Sequence, residues 1–531
     1  MLNAWLTDDY TRVFPLGPQG GKKTIELLAA RGERVAFQAC FAAKGIEFLV
    51  VSCSVKAPAG VTATVRRVGS VPLERHNTGT PIEEMDGVGL VPGYVPDALF
   101  PELESRFAMG PAHAFWITLD VAPNAKPGVK TVTVTLNPEF GKPITLKASV
   151  MVSKVKLEPR QDFRITHWFY ADAICDWYNL NPWDEDCWAM CEKYMRDYAE
   201  HGLDTIYVPC FTPPLDGVKR PTQLLKVTPR AGGKYAFDWS DVSRWIKVAR
   251  SCGITHFEWT HPFTQWGVKH AIRIYQKKNG EDVLLWDPET PATSDTYRNF
   301  LSQYLPALKK FLQSEKALDK TFFHVSDEPH GEEHLANYRA ARGMLQELAP
   351  WMKVMDALSE IEYGRNGLTD IPVPSIQTTK AFVDEGIDSW TYYCCGPRGK
   401  YLNRLLDTPL AKIRMNGWLF YRFQRQGFLH WGYNYWYKSQ TRELIQPFFQ
   451  HDGLRWPWWA SGDCFVVYPG EDGPVPSIRW EVFHASMQDY ALLQQHGIDP
   501  NGAMLRSLKD FDDFPKSAAW IRRQRKKLLM G

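Results

Sequence analysis

The sequence lacks any long uninterrupted apolar run. No run approaches the ~20 residues that a membrane-spanning helix needs, and the start of the chain, residues 1–9, shows no basic segment followed by an apolar one. We therefore expect no signal peptide, no membrane partner and a cytoplasmic location.

An excess of charge of either sign is also missing. The 531 residues include 62 Lys and Arg against 60 Asp and Glu, which gives a formal net charge of +2. Because nucleic acids and anionic membranes select basic surfaces, neither partner is expected. The basic run at 522–527 is predicted to be the solvated end of a helix. Homo-oligomerisation remains open.

Paired cysteine spacing of the kind found in zinc sites and disulfide frameworks is absent. Ten cysteines are scattered along the chain, and several lie within apolar segments. Such placement is typical of buried thiols in a reducing compartment. Cys187 and Cys191 lie one helical turn apart, but no second pair with zinc-ligand spacing accompanies them. We expect no metal and no cofactor.

Aromatic residues, in contrast, are abundant, with 21 Trp, 22 Tyr and 28 Phe. They could simply fill a large core. They could also line a carbohydrate cleft, because aromatic rings pack against the apolar faces of sugars as they do against other planar apolar ligands. Composition alone does not decide between these interpretations.

Residues 1–156 are predicted to form a β-sandwich domain. β-branched residues alternate with polar ones in short runs that are separated by turn residues. The proline-rich stretch 92–111 is predicted to be a long loop of this domain. The predicted strands lie at 35–39, 46–53, 61–65, 114–119, 130–136 and 144–148.

Residues 163–500, after a linker at 157–162, are predicted to form a (β/α)8 TIM-like barrel. Apolar strands alternate with amphipathic helices close to eight times, which favours a barrel over an open sheet. One long helix is predicted at 404–426, and residues 501–531 are predicted to be a C-terminal helical extension. The predicted barrel strands lie at 165–170, 205–210, 255–260, 322–326, 354–358, 373–377, 389–395 and 428–436.

Two adjacent acids, Asp327 and Glu328, follow the apolar strand 322–326 and are followed at once by Pro329. In α/β barrels functional side chains lie where strands end. Two neighbouring carboxylates cost repulsion and desolvation there. The plain alternative is a helix cap or loop pair before the helix near Glu332. We favour acid/base chemistry on a sugar.

Neighbouring acids seldom lie on opposite sides of a sugar, as glycosidases with two separated carboxyls require. They better suit substrate-assisted catalysis, in which the 2-acetamido group of the substrate attacks its own anomeric carbon. Asp327 would then orient the acetamido N–H and stabilise the oxazolinium charge. Glu328 would protonate the leaving oxygen and later deprotonate water. A β-glycosidase with a protein nucleophile that acts on a non-acetylated hexose, and a catalytically silent carbohydrate-binding protein, remain as alternatives.

Further polar and aromatic side chains follow predicted strands or lie in the last loop, where they could bind substrate. Each has a plain alternative as a core or bracing residue. If the last strand continues through residue 436, residues 434 and 436 face one way and 435 the other. The candidate substrate-binding residues are Trp259, His261, Tyr392, Trp431, Asn434, Tyr435, Trp436, Asp463, Tyr468 and Arg479.

Several motifs resemble one known family. They are Ser-Asp-Glu-Pro at 326–329, the aromatic segment at 427–436, the segment at 461–470, and the pieces at 476–481 and 488–490. Together they resemble the catalytic part of glycoside hydrolase family 123 over about 320–495. The resemblance implies a β-sandwich before the barrel and an exo-acting β-N-acetylgalactosaminidase that retains configuration. It also implies Asp327 as the stabilising acid and Glu328 as the general acid/base.

Overall fold

The N-terminal part of the protein consists of two β-sheets. The computed structural model describes residues 2–43, 48–77, 79–108, 111–214 and 220–531. The strands of these sheets are β1 (Leu2–Asp8), β2 (Thr24–Arg31), β3 (Arg34–Ala43), β4 (Phe48–Lys56), β5 (Val61–Leu73), β6 (Gly93–Phe100), β7 (Glu104–Ala108), β8 (His113–Val121), β9 (Gly128–Pro138) and β10 (Ile144–Lys156). The strand orders are β1-β3-β8-β5-β6 and β2-β10-β9-β4-β7.

The two sheets share an apolar core. Alternate side chains of both sheets, among them Phe37, Ile117, Val134 and Val150, form one buried cluster. This is the outcome that period-two alternation predicts. All six predicted strands are present, although residues 46 and 47 of the second lie outside the described residues.

The predicted loop at 92–111 is wrong, because β6 and β7 occupy most of it. Both are edge strands of their sheets. An edge strand tolerates a proline such as Pro96, since one row of its backbone groups makes no ladder bonds. Residues 109 and 110 of that stretch lie outside the described part of the chain.

The second part of the protein is built on a curled parallel sheet. The strands of this part are β11 (Arg164–His167), β12 (Thr205–Val208), β13 (Lys226–Arg230), β14 (Lys234–Asp238), β15 (His256–Trp259), β16 (Tyr275–Lys278), β17 (Glu281–Leu284), β18 (Thr321–Phe322), β19 (Met355–Ala357), β20 (Ile371–Val373), β21 (Thr391–Tyr392), β22 (Gly427–His430), β23 (Val467–Pro469) and β24 (Pro474–Pro476). Six of them form the parallel sheet, in the order β18-β15-β12-β11-β22-β21. A parallel pair, β19 with β20, continues from this sheet through single bridges that join Phe323 to Val354 and Ser375 to Tyr392. The pairs β13–β14, β16–β17 and β23–β24 are antiparallel. A complete (β/α)8 barrel stays a prediction.

Helices follow the parallel strands along the chain. They are α1 (Ala171–Trp177), α2 (Glu185–Glu200), α3 (Ser240–Ser251), α4 (Asp295–Ser314), α5 (Gly331–Leu348), α6 (Glu362–Arg365), α7 (Ile376–Asp384), α8 (Leu410–Ile413), α9 (Asn416–Arg422), α10 (Ile478–Gln495) and α11 (Ala518–Met530). No helix in the described part of the chain is long and apolar enough to cross a bilayer.

Several predicted elements of this part are wrong in extent. The strand predicted at 373–377 shares only residue 373 with β20, and α7 begins at Ile376. The helix predicted at 404–426 is split into α8 and α9, and α8 begins only after Pro409, which disfavours helical backbone at the residue before it. The strand predicted at 428–436 ends at His430. The chain turns at Gly432, where an added Cβ would lie 2.3 Å from the carbonyl oxygen of Asp463.

The C-terminal helix α11 is fixed to the rest of the protein by buried charge. Arg525, only 6% exposed, forms ion pairs with Glu33 of the N-terminal part and Asp489 of α10. Arg522 pairs with Asp8. The helix is therefore docked through Arg522 and Arg525, while Arg523, Lys526 and Lys527 are exposed, as the predicted solvated helix end requires.

Candidate active site

A cleft opens at the carboxyl ends of the parallel strands. The side chains that follow β11, β18, β21 and β22 meet there, as the geometry of parallel sheets requires. The cleft is lined by Trp168, Trp266, Asp327, Glu328, Ala357, Tyr392, Cys394, Cys395, Leu429, Trp431, Trp459 and Asp463.

The two adjacent acids lie side by side in this cleft. Asp327 is 7% exposed, and Glu328 is half-buried. Glu328 has a left-handed backbone, with a φ of 43°. The following residue, Pro329, adds a further restriction on the backbone of Glu328. A strained non-glycine residue persists only where its surroundings hold it, and such residues cluster at functional sites.

Two hydrogen bonds hold Glu328 in place. Its backbone N–H donates to the carbonyl oxygen of Ala357 at 3.1 Å. The hydroxyl of Tyr392 donates to Glu328 Oε1 at 2.7 Å. Burial and the neighbouring carboxylate raise the pKa of Tyr392 well above its ordinary value, so the tyrosine stays protonated and remains a donor.

A third carboxyl group, Asp463, lies in the same cleft and is held by its neighbours. Trp431 Nε1 donates to Asp463 Oδ2 at 2.8 Å, and His430 Nε2 lies 3.4 Å from Oδ1. His430 Nδ1 accepts from the backbone N–H of Gly432 at 2.9 Å, and burial lowers the histidine pKa, so a neutral ring with its proton on Nε2 faces Asp463. Burial raises the pKa of Asp463 to about 7, although the Trp431 hydrogen bond lowers it.

Beneath the cleft lies a buried charged cluster of Glu258, His324 and Asp356. His324 Nε2 lies 2.8 Å from Glu258 Oε1, and its Nδ1 lies 3.2 Å from Asp356 Oδ1. Burial lowers the pKa of His324, but the hydrogen bonds to Asp356 and Glu258 outweigh it and raise the pKa to about 9. Trp168 of the cleft wall donates to Glu258 Oε1 at 2.8 Å. The cluster therefore connects the cleft wall to the strand that carries Asp327.

His261 joins two members of this cluster in a group of possible metal ligands. Donor atoms of His261, His324 and Asp356 lie within 4.8 Å of one another. The rings of His261 and His324, however, stack at 3.8 Å with only 16° between their planes. Lone pairs of stacked, nearly parallel rings cannot point at one ion, and both nitrogens of His324 already face carboxylates. These residues do not fit a metal.

The comparisons with known proteins agree with this geometry. The family model of the glycoside hydrolase 123 catalytic domain matches residues 168–496, which is more than half of the chain. The chain belongs to glycoside hydrolase family 123.

Solved structures extend the likeness to the whole fold. A family 123 glycoside hydrolase from Clostridium perfringens, analysed for glycolipid glycan hydrolysis, superposes with a TM-score of 0.73 at 15% identity, covering 96% of this chain and 91% of that one. A GH5 xyloglucanase from Bacteroides ovatus gives a TM-score of only 0.32 at 9% identity, covering 92% of this chain and 100% of that one. No curated protein sequence matches the chain.

Of the residues predicted from sequence, five come together in the cleft of this family 123 protein. They are Asp327, Glu328, Tyr392, Trp431 and Asp463. Tyr435 lies behind them, fully buried, with its ring 5.1 Å from that of Trp431.

The remaining predicted binding residues do not line the cleft, and their part in substrate binding stays a prediction. Three lie in the core, where their polar groups are used. Trp259 donates to the Tyr304 hydroxyl at 2.8 Å, Asn434 bonds the backbone of Tyr170 through both amide atoms, and Trp436 donates to the Val467 carbonyl oxygen at 3.1 Å. The assumed strand alternation over residues 434–436 fails because β22 ends at His430.

The other three residues lie beneath the cleft or at the junction with the N-terminal sheets. His261 packs on His324 beneath the cleft. Tyr468 and Arg479 both bond Asp97 of β6, with the tyrosine hydroxyl 2.7 Å from Asp97 Oδ2 and the guanidinium 2.9 Å from the same oxygen. They hold the N-terminal sheets against the catalytic part of the chain.

Three tryptophans of the cleft were not predicted from sequence. Trp168 directly follows β11, so the strand-end argument applied to the first barrel strand would have found it. Trp266 and Trp459 lie in long loops, and the sequence carries no signal that brings those loops to the cleft.

Proposed function

We propose that this family 123 glycoside hydrolase is an exo-acting β-N-acetylgalactosaminidase that retains configuration through substrate-assisted catalysis. The observation that carries the proposal is the pair Asp327 and Glu328 in one cleft, with Glu328 strained and fixed by Tyr392. Two neighbouring residues cannot readily flank a pyranose, so the substrate must supply the attacking group.

In the first step the acetamido oxygen of the substrate attacks its anomeric carbon. Asp327 accepts the acetamido N–H and stabilises the positive charge that develops on the ring formed. Glu328 gives its proton to the leaving oxygen as the glycosidic bond breaks. In the second step Glu328 takes a proton from water, which opens the oxazoline intermediate.

We also propose that the eight parallel strands form one closed (β/α)8 barrel preceded by a β-sandwich. The two single bridges join the pair β19–β20 to both edges of the six-stranded sheet. Helices between consecutive strands support the same arrangement. A small-molecule glycan is the expected partner, because the cleft combines carboxyl groups with several tryptophan side chains.

The first experiment is a panel of nitrophenyl β-glycosides that differ at C2 and C4. Turnover should require the 2-acetamido group and favour the galacto configuration. A thiazoline mimic of the cyclic intermediate should inhibit. Equal hydrolysis of the 2-hydroxyl analogues would contradict substrate assistance.

The second experiment removes each acid. Glu328→Gln should lower kcat by about 10²–10⁴-fold, the usual contribution of a general acid/base, and Asp327→Asn should damage turnover of acetamido substrates. Glu332→Gln, an exposed acid at the start of α5, is the matched control and should keep full activity. A protein that binds these sugars without turnover would be a carbohydrate-binding protein instead.

A substitution of Asp463 tests the alternative function, a glycosidase that uses a protein nucleophile. Its two oxygens face Trp431 and His430, an arrangement that suits bracing better than attack on a sugar. Asp463→Asn should therefore leave turnover that added azide does not accelerate. A near-complete loss rescued by azide would identify Asp463 as a nucleophile.

A further inference from the structure

The loop after β15 contains three consecutive residues with positive φ. Trp266 has a φ of 54°, Gly267 of 136° and Val268 of 56°. Glycine adopts such backbone freely, but a bulky aromatic residue and a β-branched one do so rarely and at a cost. Something in the fold must therefore hold this loop.

The loop is fixed to the elements that carry the acids. The backbone N–H of Trp266 donates to the carbonyl oxygen of Asp327 at 3.0 Å, and Asn337 of α5 donates to the Gly267 carbonyl oxygen at 2.8 Å. Ser326 donates to the Thr264 carbonyl oxygen at 2.8 Å. The Trp266 backbone is thus positioned directly against the catalytic strand end.

Burial of the tryptophan ring does not explain this arrangement. Trp266 is 43% exposed, although it lines the cleft. Among the described residues that line the cleft, Trp266 has the most exposed side chain. Trp168 is only 5% exposed, and Trp431 and Trp459 are partly buried. A strained residue that presents an apolar ring to solvent beside catalytic acids indicates a binding role.

The exposure of the cleft side chains assigns this role. Trp431 and Trp459 are partly buried and their indole rings lie 4.9 Å apart, which suits the enclosed terminal sugar. The leaving part of the glycan must extend from Glu328 towards solvent. Trp266 is the exposed ring of the cleft and lies next to the acid pair, because its backbone N–H bonds the Asp327 carbonyl oxygen.

We propose that Trp266 is the platform of a subsite for the leaving group, where its ring packs against the apolar face of the pyranose on the reducing side of the scissile bond. This subsite rests on the glycosidase function proposed above. It makes Trp266 a specificity-determining residue that selects a sugar over a small alcohol as leaving group.

The test measures binding without turnover in the Glu328→Gln protein. Isothermal titration calorimetry compares free N-acetylgalactosamine with a disaccharide in which it is β-linked to galactose. Adding Trp266→Ala should weaken disaccharide binding about 10-fold and leave monosaccharide binding within about two-fold, with Trp266→Phe intermediate. Phe140→Ala, which removes a 69% exposed aromatic ring from the N-terminal part, should change neither affinity.

The outcomes separate the two proposals. Equal weakening of both sugars, or no weakening of either, overturns the subsite while the glycosidase function stands. A protein that binds neither sugar overturns both. Denaturant unfolding tests the strain itself: Trp266→Gly should unfold at a higher midpoint than Trp266→Ala, because only glycine adopts positive φ freely. The reverse order would remove the basis of the proposal.

Discussion

Two buried charged clusters of this protein are built from different partners. At the junction with the N-terminal sheets, Asp97 pairs with Arg479, and both side chains are fully buried. Beneath the cleft, Glu258 and Asp356 pair with His324 instead. An arginine keeps its charge at every pH that proteins encounter, whereas a histidine titrates. The junction cluster is therefore permanent, and the cleft cluster can respond to pH.

Helix α10 carries a second permanent pair of the junction type. Asp489 binds Arg414 at 2.6 Å through Nε and also pairs with Arg525 of α11. Arginine fixes the parts of the chain to one another, while a histidine pairs with the acids beneath the cleft. Both kinds of cluster are buried, so the type of cation, arginine or histidine, is what distinguishes the structural clusters from the one beneath the cleft.

The largest expected effect comes from breaking the junction pair. Arg479→Met leaves Asp97 buried without its cation, so the free energy of unfolding should fall by about 3–5 kcal/mol. Sugar affinity of the folded protein should not change. Urea unfolding and sugar titration check this, with Lys380→Met, from the exposed pair with Asp384, costing below about 1 kcal/mol. Weakened sugar binding at unchanged stability would instead place Arg479 in the substrate site.

Ionisation of Asp463 should give the next largest effect. Its pKa rises through burial from an ordinary 3.8 to about 7, so between these values the folded state holds a proton that the unfolded state has lost. Stability should therefore fall as pH rises from about 4 to 7, by at most about 4 kcal/mol. Asp463→Asn should flatten this slope in urea unfolding. An unchanged slope would show that Asp463 is ionised throughout.

His324 should make the free energy of unfolding depend on pH over a higher range. Its pKa is raised from 6.5 to about 9, so its stabilising contribution is complete below 6.5 and is lost as pH rises through 9. The contribution amounts to at most about 3 kcal/mol. His324→Gln should remove the slope between pH 6.5 and 9, while His256→Gln, on the half-buried outer side of β15, should keep it.

Much of the fold was predictable from local pattern. Alternating β-branched residues identified the strands of the N-terminal sheets, and apolar runs identified the parallel strands. Strands β6 and β7 were missed because prolines read as loop signals, although edge strands tolerate them. The helix at 404–426 was overextended because apolar spacing continues past the break at Pro409.

The strand-end argument places Asp327, Glu328 and Tyr392 in the cleft. Asp463, predicted from the last loop, also lies there, although no strand end fixes its position. Nothing local reveals that Tyr468 and Arg479 bond Asp97, more than 370 positions earlier. Tertiary packing of the two parts of the chain decides such residues.

The smallest expected effect concerns a single hydrogen bond in the cleft. Tyr392→Phe removes the hydroxyl that donates to Glu328 Oε1, and a typical hydrogen bond contributes about 0.5–1.5 kcal/mol. We expect kcat to fall about 10-fold while KM changes little, because the acid loses its orientation and the sugar keeps its other contacts. Tyr393→Phe, whose hydroxyl bonds Asn416 in the core, should leave kcat unchanged. If instead KM rises and kcat holds, Tyr392 binds the substrate directly, and the strain at Glu328 is maintained by the backbone bond to Ala357 alone.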